Sequence, residues 1–262
     1  MNPNATPPVA LVLAARNLAR AVRTPMMVTA SLAQPVIWLV LFSQIFRGLA
    51  GTEEFRSLGY RSYLDFFAPA MLVLSMLFTA MQSGMATVTD IDTGMMDKLL
   101  ASPIRRSAIL AGRVIADAVT MTAQGLLLLA AGFLLGARFH TGWAGAAVTL
   151  GFAVAFGVAW AGLSNMIALK SRNSELTMLT GMFVTLTALF LSSAFFPRPY
   201  LPGWLQAVTN INPAAYVISI GQQLMNAGNS VGQDLRTLAA VAATALVLLP
   251  ACAAAFRAAA RH

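Results

Sequence analysis

Arg113 and Asp117 stand four residues apart inside an apolar stretch over 109–136. At that spacing two side chains share one helical face, and opposite charges neutralise each other. Charged groups in hydrocarbon are costly and mark ion, proton or substrate pathways unless something pairs them. Pairing alone accounts for these two, so an intramembrane ion pair is the favoured reading, with a proton or substrate site as the alternative. Both lie near one end of the stretch, where an arginine can also extend to the interface.

Few other residues offer chemistry. The two lysines are Lys98, which follows Asp97, and Lys170, which follows Leu169, so there is no Gly-Lys-Ser/Thr phosphate loop. ATP binding and hydrolysis through that motif are excluded for this chain. The two histidines, His140 and His262, give no basis for a histidine zinc site. Gly162-Leu-Ser164 places a serine in an apolar run, but no such run supplies a histidine base, and there is no Gly-x-Ser-x-Gly elbow. The single cysteine, Cys252, excludes an internal disulfide and a thiolate metal cluster. No cofactor or metal is therefore expected in the chain. An enzyme would lack its catalytic set. An ion-coupled secondary transporter would need carboxylates near mid-membrane, and only Asp117 comes close.

The elements that carry these residues are membrane-like. Of 262 residues, 58% are hydrophobic and 10% charged, against about a quarter charged in soluble domains. Six stretches reach the roughly 20 residues needed to cross about 30 Å of hydrocarbon: 27–46, 66–88, 109–136, 143–169, 176–196 and 237–256. They are expected as helices, since each backbone polar group in lipid must be paired within its segment. Pro35, Pro69 and Pro250 are candidate kinks. Gly132 with Gly136, and Ala153 with Gly157 and Ala161, would permit close helix packing. There is no clear internal repeat, which counts against an inverted-repeat transporter.

The basic residues set the orientation. If the N-terminus is cytosolic, eleven of the seventeen Lys and Arg residues fall on the inner side and six on the outer, so both termini are expected inside. Because the positive charges occur as clusters between apolar runs and form no single face, they argue against nucleic acid as a partner. The first eight residues lack the charged and apolar regions of a signal peptide. Over 9–23, Arg16, Arg20 and Arg23 share one helical face and Leu11, Leu18 and Val22 the other, which fits an interfacial helix on lipid or an ordinary juxtamembrane basic segment.

Two connecting segments stand out. Over 93–103, Met95 with Leu99 and Met96 with Leu100 form an apolar face about two turns long, Thr93 or Asp92 can cap it, and Pro103 ends it. Such a face lies on the membrane surface or docks on a partner. Over 197–227 the prolines of Phe195-Phe-Pro-Arg-Pro-Tyr-Leu-Pro-Gly-Trp204, then Asn212-Pro213, break the chain into short apolar helices too short to span. A re-entrant outer element is expected there.

These segments resemble the type-2 ABC transporter permeases, and most of all the daunorubicin-resistance type of drug exporter membrane subunit. The likeness lies in Asp90-Ile-Asp-Thr-Gly94, Asp97, Leu99, Pro103 and Gly112-Arg-Val-Ile-Ala-Asp117, then in Ser192-Ser-Ala-Phe-Phe-Pro197, Leu201-Pro-Gly-Trp-Leu-Gln206 and Asn212-Pro213. It spans roughly residues 10–257. The resemblance implies an all-α membrane protein of the inner (plasma) membrane, without its own ATPase. It implies a cytosolic ABC-type ATPase partner that carries ATP and Mg, and a second permease subunit, identical or homologous. Met95, Met96, Asp97, Leu99, Leu100 and Pro103 would form the coupling helix; Phe195, Phe196, Pro197, Trp204, Asn212 and Pro213 would cap the exit. The cargo implied is an amphipathic drug or lipid, the alternative a polysaccharide or teichoic acid. One departure concerns the short helix after Pro213, where the family often carries a basic residue and this chain reads Gly221-Gln-Gln-Leu224.

Overall fold

Apolar runs without internal turn residues pair their own backbone groups, and here they do so as helices. The computed structural model describes residues 12, 14–15, 25–101, 106–226 and 235–259, and every regular element among them is helical. In chain order these are α1 (Pro25–Ile45), α2 (Glu53–Ser57), α3 (Tyr63–Asp92), α4 (Met95–Ala101), α5 (Arg106–Leu134), α6 (Gly142–Ser171), α7 (Ser174–Phe190), α8 (Gly203–Thr209), α9 (Pro213–Met225) and α10 (Leu235–Ala259). By length and composition α3, α5 and α6 are able to cross a membrane, while α1, α7 and α10 carry shorter apolar segments. Of the helix expected over 9–23, Val12, Ala14 and Ala15 are helical; the rest, with its three arginines, lies outside the described residues.

The central helix is α3. It packs against α1, α5, α6, α7 and α9, and its side chains from Phe66 to Leu77 are nearly all buried. On one side α6 runs along α3, and on its other side α6 meets α10. The two inner helices approach closely at Gly84, where a Cβ would lie 2.2 Å from Ser164 Oγ and 2.8 Å from the Ser164 carbonyl oxygen. Ala153, Gly157 and Ala161 are buried on α6, and Gly157 faces Met76 and Met121.

Gly132 and Gly136 have a different role from the packing pair expected of them. Gly136 takes φ +98°, its N–H bonds Phe133 O at 3.0 Å and the Ala137 N–H bonds Gly132 O at 2.9 Å. This left-handed cap ends α5 and satisfies its last carbonyls. The fifth apolar stretch is helical only to Phe190 and does not continue to 196. Side chains take over its last carbonyls. Ser192 Oγ donates to Leu189 O at 2.5 Å, and Asn212 Nδ2 donates to Ala188 O at 2.5 Å and Leu191 O at 3.0 Å.

Candidate functional site

On α3, Ser83, Thr87 and Asp90 recur at i, i+4 and i+7 and form one buried polar stripe on an apolar helix. Arg113 and Asp117 from α5 and Asn165 from α6 converge on it. Arg113 Nη2 lies 2.6 Å from Asp90 Oδ2, with the two side chains 16% and 6% exposed, and Nη1 donates to Asn165 Oδ1 at 3.1 Å. The Thr87 hydroxyl donates to the same Asn165 oxygen. Asn165 Nδ2 donates to Ser83 Oγ at 3.0 Å and to Ala161 O at 2.7 Å, and Ser83 Oγ donates to Asp117 Oδ2 at 2.7 Å. Six polar side chains thus join three helices in one hydrogen-bonded network.

The pair expected between Arg113 and Asp117 is therefore not the one formed. Arg113 crosses to Asp90, and Asp117 accepts from Ser83. The physical reason is the guanidinium itself, a planar fork that satisfies two acceptors on different helices, which a neighbour one turn along α5 does not offer. Sequence reasoning passed over Asp90, Ser83, Thr87 and Asn165 as site residues. The i, i+4, i+7 polar stripe inside an apolar run is the signal that points to three of them.

Immediately beyond this network stands α4. Thr93 closes α3, its Oγ1 donating to Thr89 O at 2.7 Å, and does not cap α4 as expected. Gly94 takes φ +65°, and its carbonyl receives the Lys98 N–H at 3.3 Å as α4 starts. Met96 is 6% exposed and turned into the protein; Met95 and Leu99 are half-buried; Asp97 and Lys98 are exposed. The apolar face of α4 is thus partly seated within the chain, since α4 packs on α3. Pro103 and the side chain of Leu100 lie outside the described residues.

The opposite end of α3 is aromatic. Phe195 packs on Phe42, Phe67 and Phe190, and Phe196 meets Phe46 edge-on. Tyr63 donates to Phe195 O at 2.8 Å. Tyr60 packs tilted on Phe55 and edge-on to Phe66, and burial pushes its phenol up to about 12, so it stays neutral. Asn212 caps α9 by accepting from Ala214 N at 3.0 Å, with Pro213 as the first helical residue. Trp204 stands apart, 65% exposed on α8. Of the six residues expected at this end, Phe195 joins α3 to α7, Asn212 joins α7 to α9, and Phe196 meets Phe46 just after α1.

In the helix where the family often carries a basic residue, the interior donor is Gln222. Its Nε2 donates to Phe66 O and Ser193 O, each at 3.2 Å. Gln222→Leu keeps the volume and removes a buried donor shared by two carbonyls, so it is expected to cost about 1–3 kcal/mol. A thermal melt of the detergent-purified protein checks this, and an unchanged midpoint would mean that α9 is held by packing alone.

Comparison with known proteins places this geometry. The model of the family described as ABC-2 type transporter matches residues 9–226, and the chain belongs to that family. It is similar to the daunorubicin resistance ABC transporter permease protein DrrB1 of Streptomyces coeruleorubidus, with 27% identity over 194 residues, 73% of this chain and 66% of that one. The chain thus spans about two thirds of the length of that relative. The probable doxorubicin resistance ABC transporter permease protein DrrC of Mycobacterium tuberculosis is 24% identical over 205 residues, 78% of this chain and 72% of its own. The inner membrane transport permease YadH of Escherichia coli is 29% identical over 196 residues, 72% and 73% respectively. The resemblance read from the two motif regions and the family found here agree.

Proposed function

We propose that this chain is the transmembrane permease subunit of an ATP-driven exporter of amphipathic drugs or lipids. In this reading six helices, α1, α3, α5, α6, α7 and α10, span the inner (plasma) membrane, with both termini and α4 on the cytosolic side. ATP and Mg belong to a separate nucleotide-binding subunit, and a second permease subunit completes the pathway. The names of the relatives support the drug-export part. The observation that carries the reading on this chain is α4. It is a two-turn helix anchored by Met96 at the end of the central helix, beside a cross-helix network, with Asp97 and Lys98 exposed.

In that arrangement a push on α4 reaches α3 directly and α5 through the Asp90–Arg113 pair, so a partner seated on α4 would move two spanning helices together. Leu99, half-buried at the edge of the anchored face, is the residue to change, because Met96→Asp would also damage folding. With the partner ATP-binding subunit co-expressed, Leu99→Asp is expected to lower its co-purification about tenfold and to end substrate-stimulated ATP hydrolysis. The permease's own melting temperature should stay put. Full partner binding and full transport by this variant would remove α4 from the coupling role.

A further inference from the structure

A second polar feature lies apart from the network and from α4. Between α1, α3 and α5 is a cavity of about 290 Å³ lined by Gln34, Trp38, Phe78, Thr79, Gln82 and Gln124. That volume is close to the lower bound, about 300 Å³, of small-molecule sites. Three primary amides from three different helices converge on it. The Gln124 side chain is buried, and its Oε1 accepts from the Thr79 hydroxyl. Gln34 and Gln82 sit at the exposed rim, and neither side chain hydrogen-bonds another described residue.

Amides on the outside of spanning helices are costly unless they meet a partner or line a cavity. Gln34 and Gln82 share a rim with a buried third amide and two rings, which makes a ligand the partner that fits. From this we infer that the cavity between α1, α3 and α5 binds an uncharged, ring-bearing molecule that carries both hydrogen-bond donors and acceptors. Calling that molecule cargo rests on the export reading above.

The lining residues define the ligand. None of those that line the cavity is ionisable, and an ion placed there would give up its water without a counter-charge. The rim amides of Gln34 and Gln82 each both donate and accept, which suits a carboxamide, lactam or hydroxyl group. Trp38, which stacks on Phe42, and Phe78 supply ring faces. The rings favour a flat apolar body, and the amides fix its polar end.

The test is equilibrium binding of radiolabelled 1-naphthamide to the purified full chain in nanodiscs, without the ATPase. 1-Naphthoate serves as the isosteric anion and 1-methylnaphthalene as the probe without polar groups. Saturable binding of naphthamide is expected at one site per chain. It should weaken at least about tenfold for naphthoate, for methylnaphthalene, and for naphthamide on Gln124→Leu or Gln82→Leu. Gln82 is at the rim, so that variant reads binding without touching the fold. Equal uptake of all three probes, unchanged in the variants, would reduce the cavity to a lipid-facing dimple and overturn the proposal. It would also be overturned if Gln34→Leu and Gln82→Leu turned a dimer into monomers while naphthamide binding stayed the same, since a second copy would then be the true partner. Failure of the Leu99→Asp experiment would remove α4 from the coupling role but leave this binding result standing; failed binding would leave the coupling result standing.

Discussion

Asp90→Asn is expected to lower the stability of the purified protein by about 3–5 kcal/mol, the range for breaking a buried ion pair by removing one partner. The cost comes from Arg113. Its guanidinium stays in a largely buried place with Asn165 as an acceptor but without its counter-charge. Removing both charges should recover most of the loss, so Asp90→Asn combined with Arg113→Gln is expected to melt close to the parent. Asp117→Asn should matter less, because Asp117 takes part through one hydrogen bond from Ser83 and not through the ion pair. Thermal melting and monodisperse yield in detergent read all of these variants. If Asp90→Asn melts with the parent, or if Asp117→Asn is the more damaging change, the network is not held together by the Asp90–Arg113 pair.

A single added methyl at Gly84 is expected to be harmful as well, by a smaller amount. In an ordinary helix Gly→Ala stabilises by up to about 1 kcal/mol. Here the new Cβ would stand 2.2 Å from Ser164 Oγ and 2.8 Å from a backbone oxygen of α6. The hydroxyl can rotate away, but the carbonyl moves only if the two helices separate, and forced overpacking of this kind costs about 1–3 kcal/mol. Separation would also strain the bonds from Asn165 to Ser83 and Thr87, which neighbour Gly84 on α3. Gly84→Ala should therefore melt below the parent, with partial rescue by Ser164→Ala. Gly132→Ala serves as the control, since its Cβ would meet nothing closer than 3.8 Å and should be neutral or slightly favourable. Equal stability of the two alanine variants would show that α3 and α6 do not approach so closely.

Much of the architecture was legible in the sequence, for a physical reason. Apolar length reports helices in lipid directly, so α3, α5 and α6 lie where hydropathy places them. The short helices broken by Pro197, Pro202 and Asn212 were legible because proline and asparagine act locally. What a single-helix rule cannot see is which neighbour arrives from elsewhere. The i, i+4 spacing pairs Arg113 with Asp117, whereas the partner that wins, Asp90, is 23 residues upstream and Asn165 is 52 downstream. The same limit applies to Met96: its helix was readable, but which way its apolar face turns depends on α3, and part of it is already occupied. Gly136 was readable as a small residue and is in fact a left-handed cap, a distinction that lies in φ and not in size. The early end of α7 belongs to the same group, since the side chain that takes its carbonyls, Asn212, lies on another element.

The order of the network's contributors along the chain bears on how the protein is made. Of the Arg113 guanidinium and its two acceptors, Asp90 leaves the ribosome first, Arg113 follows 23 residues later, and Asn165 comes 52 residues after that. If α3 and α5 both span the membrane, as in the export reading, the arginine of α5 is made after its counter-ion on α3, so its insertion need not place an unpaired cation in hydrocarbon. The second acceptor arrives only with α6. Until then the Asp90–Arg113 pair holds α3 to α5 with one of the guanidinium's two bonds in place.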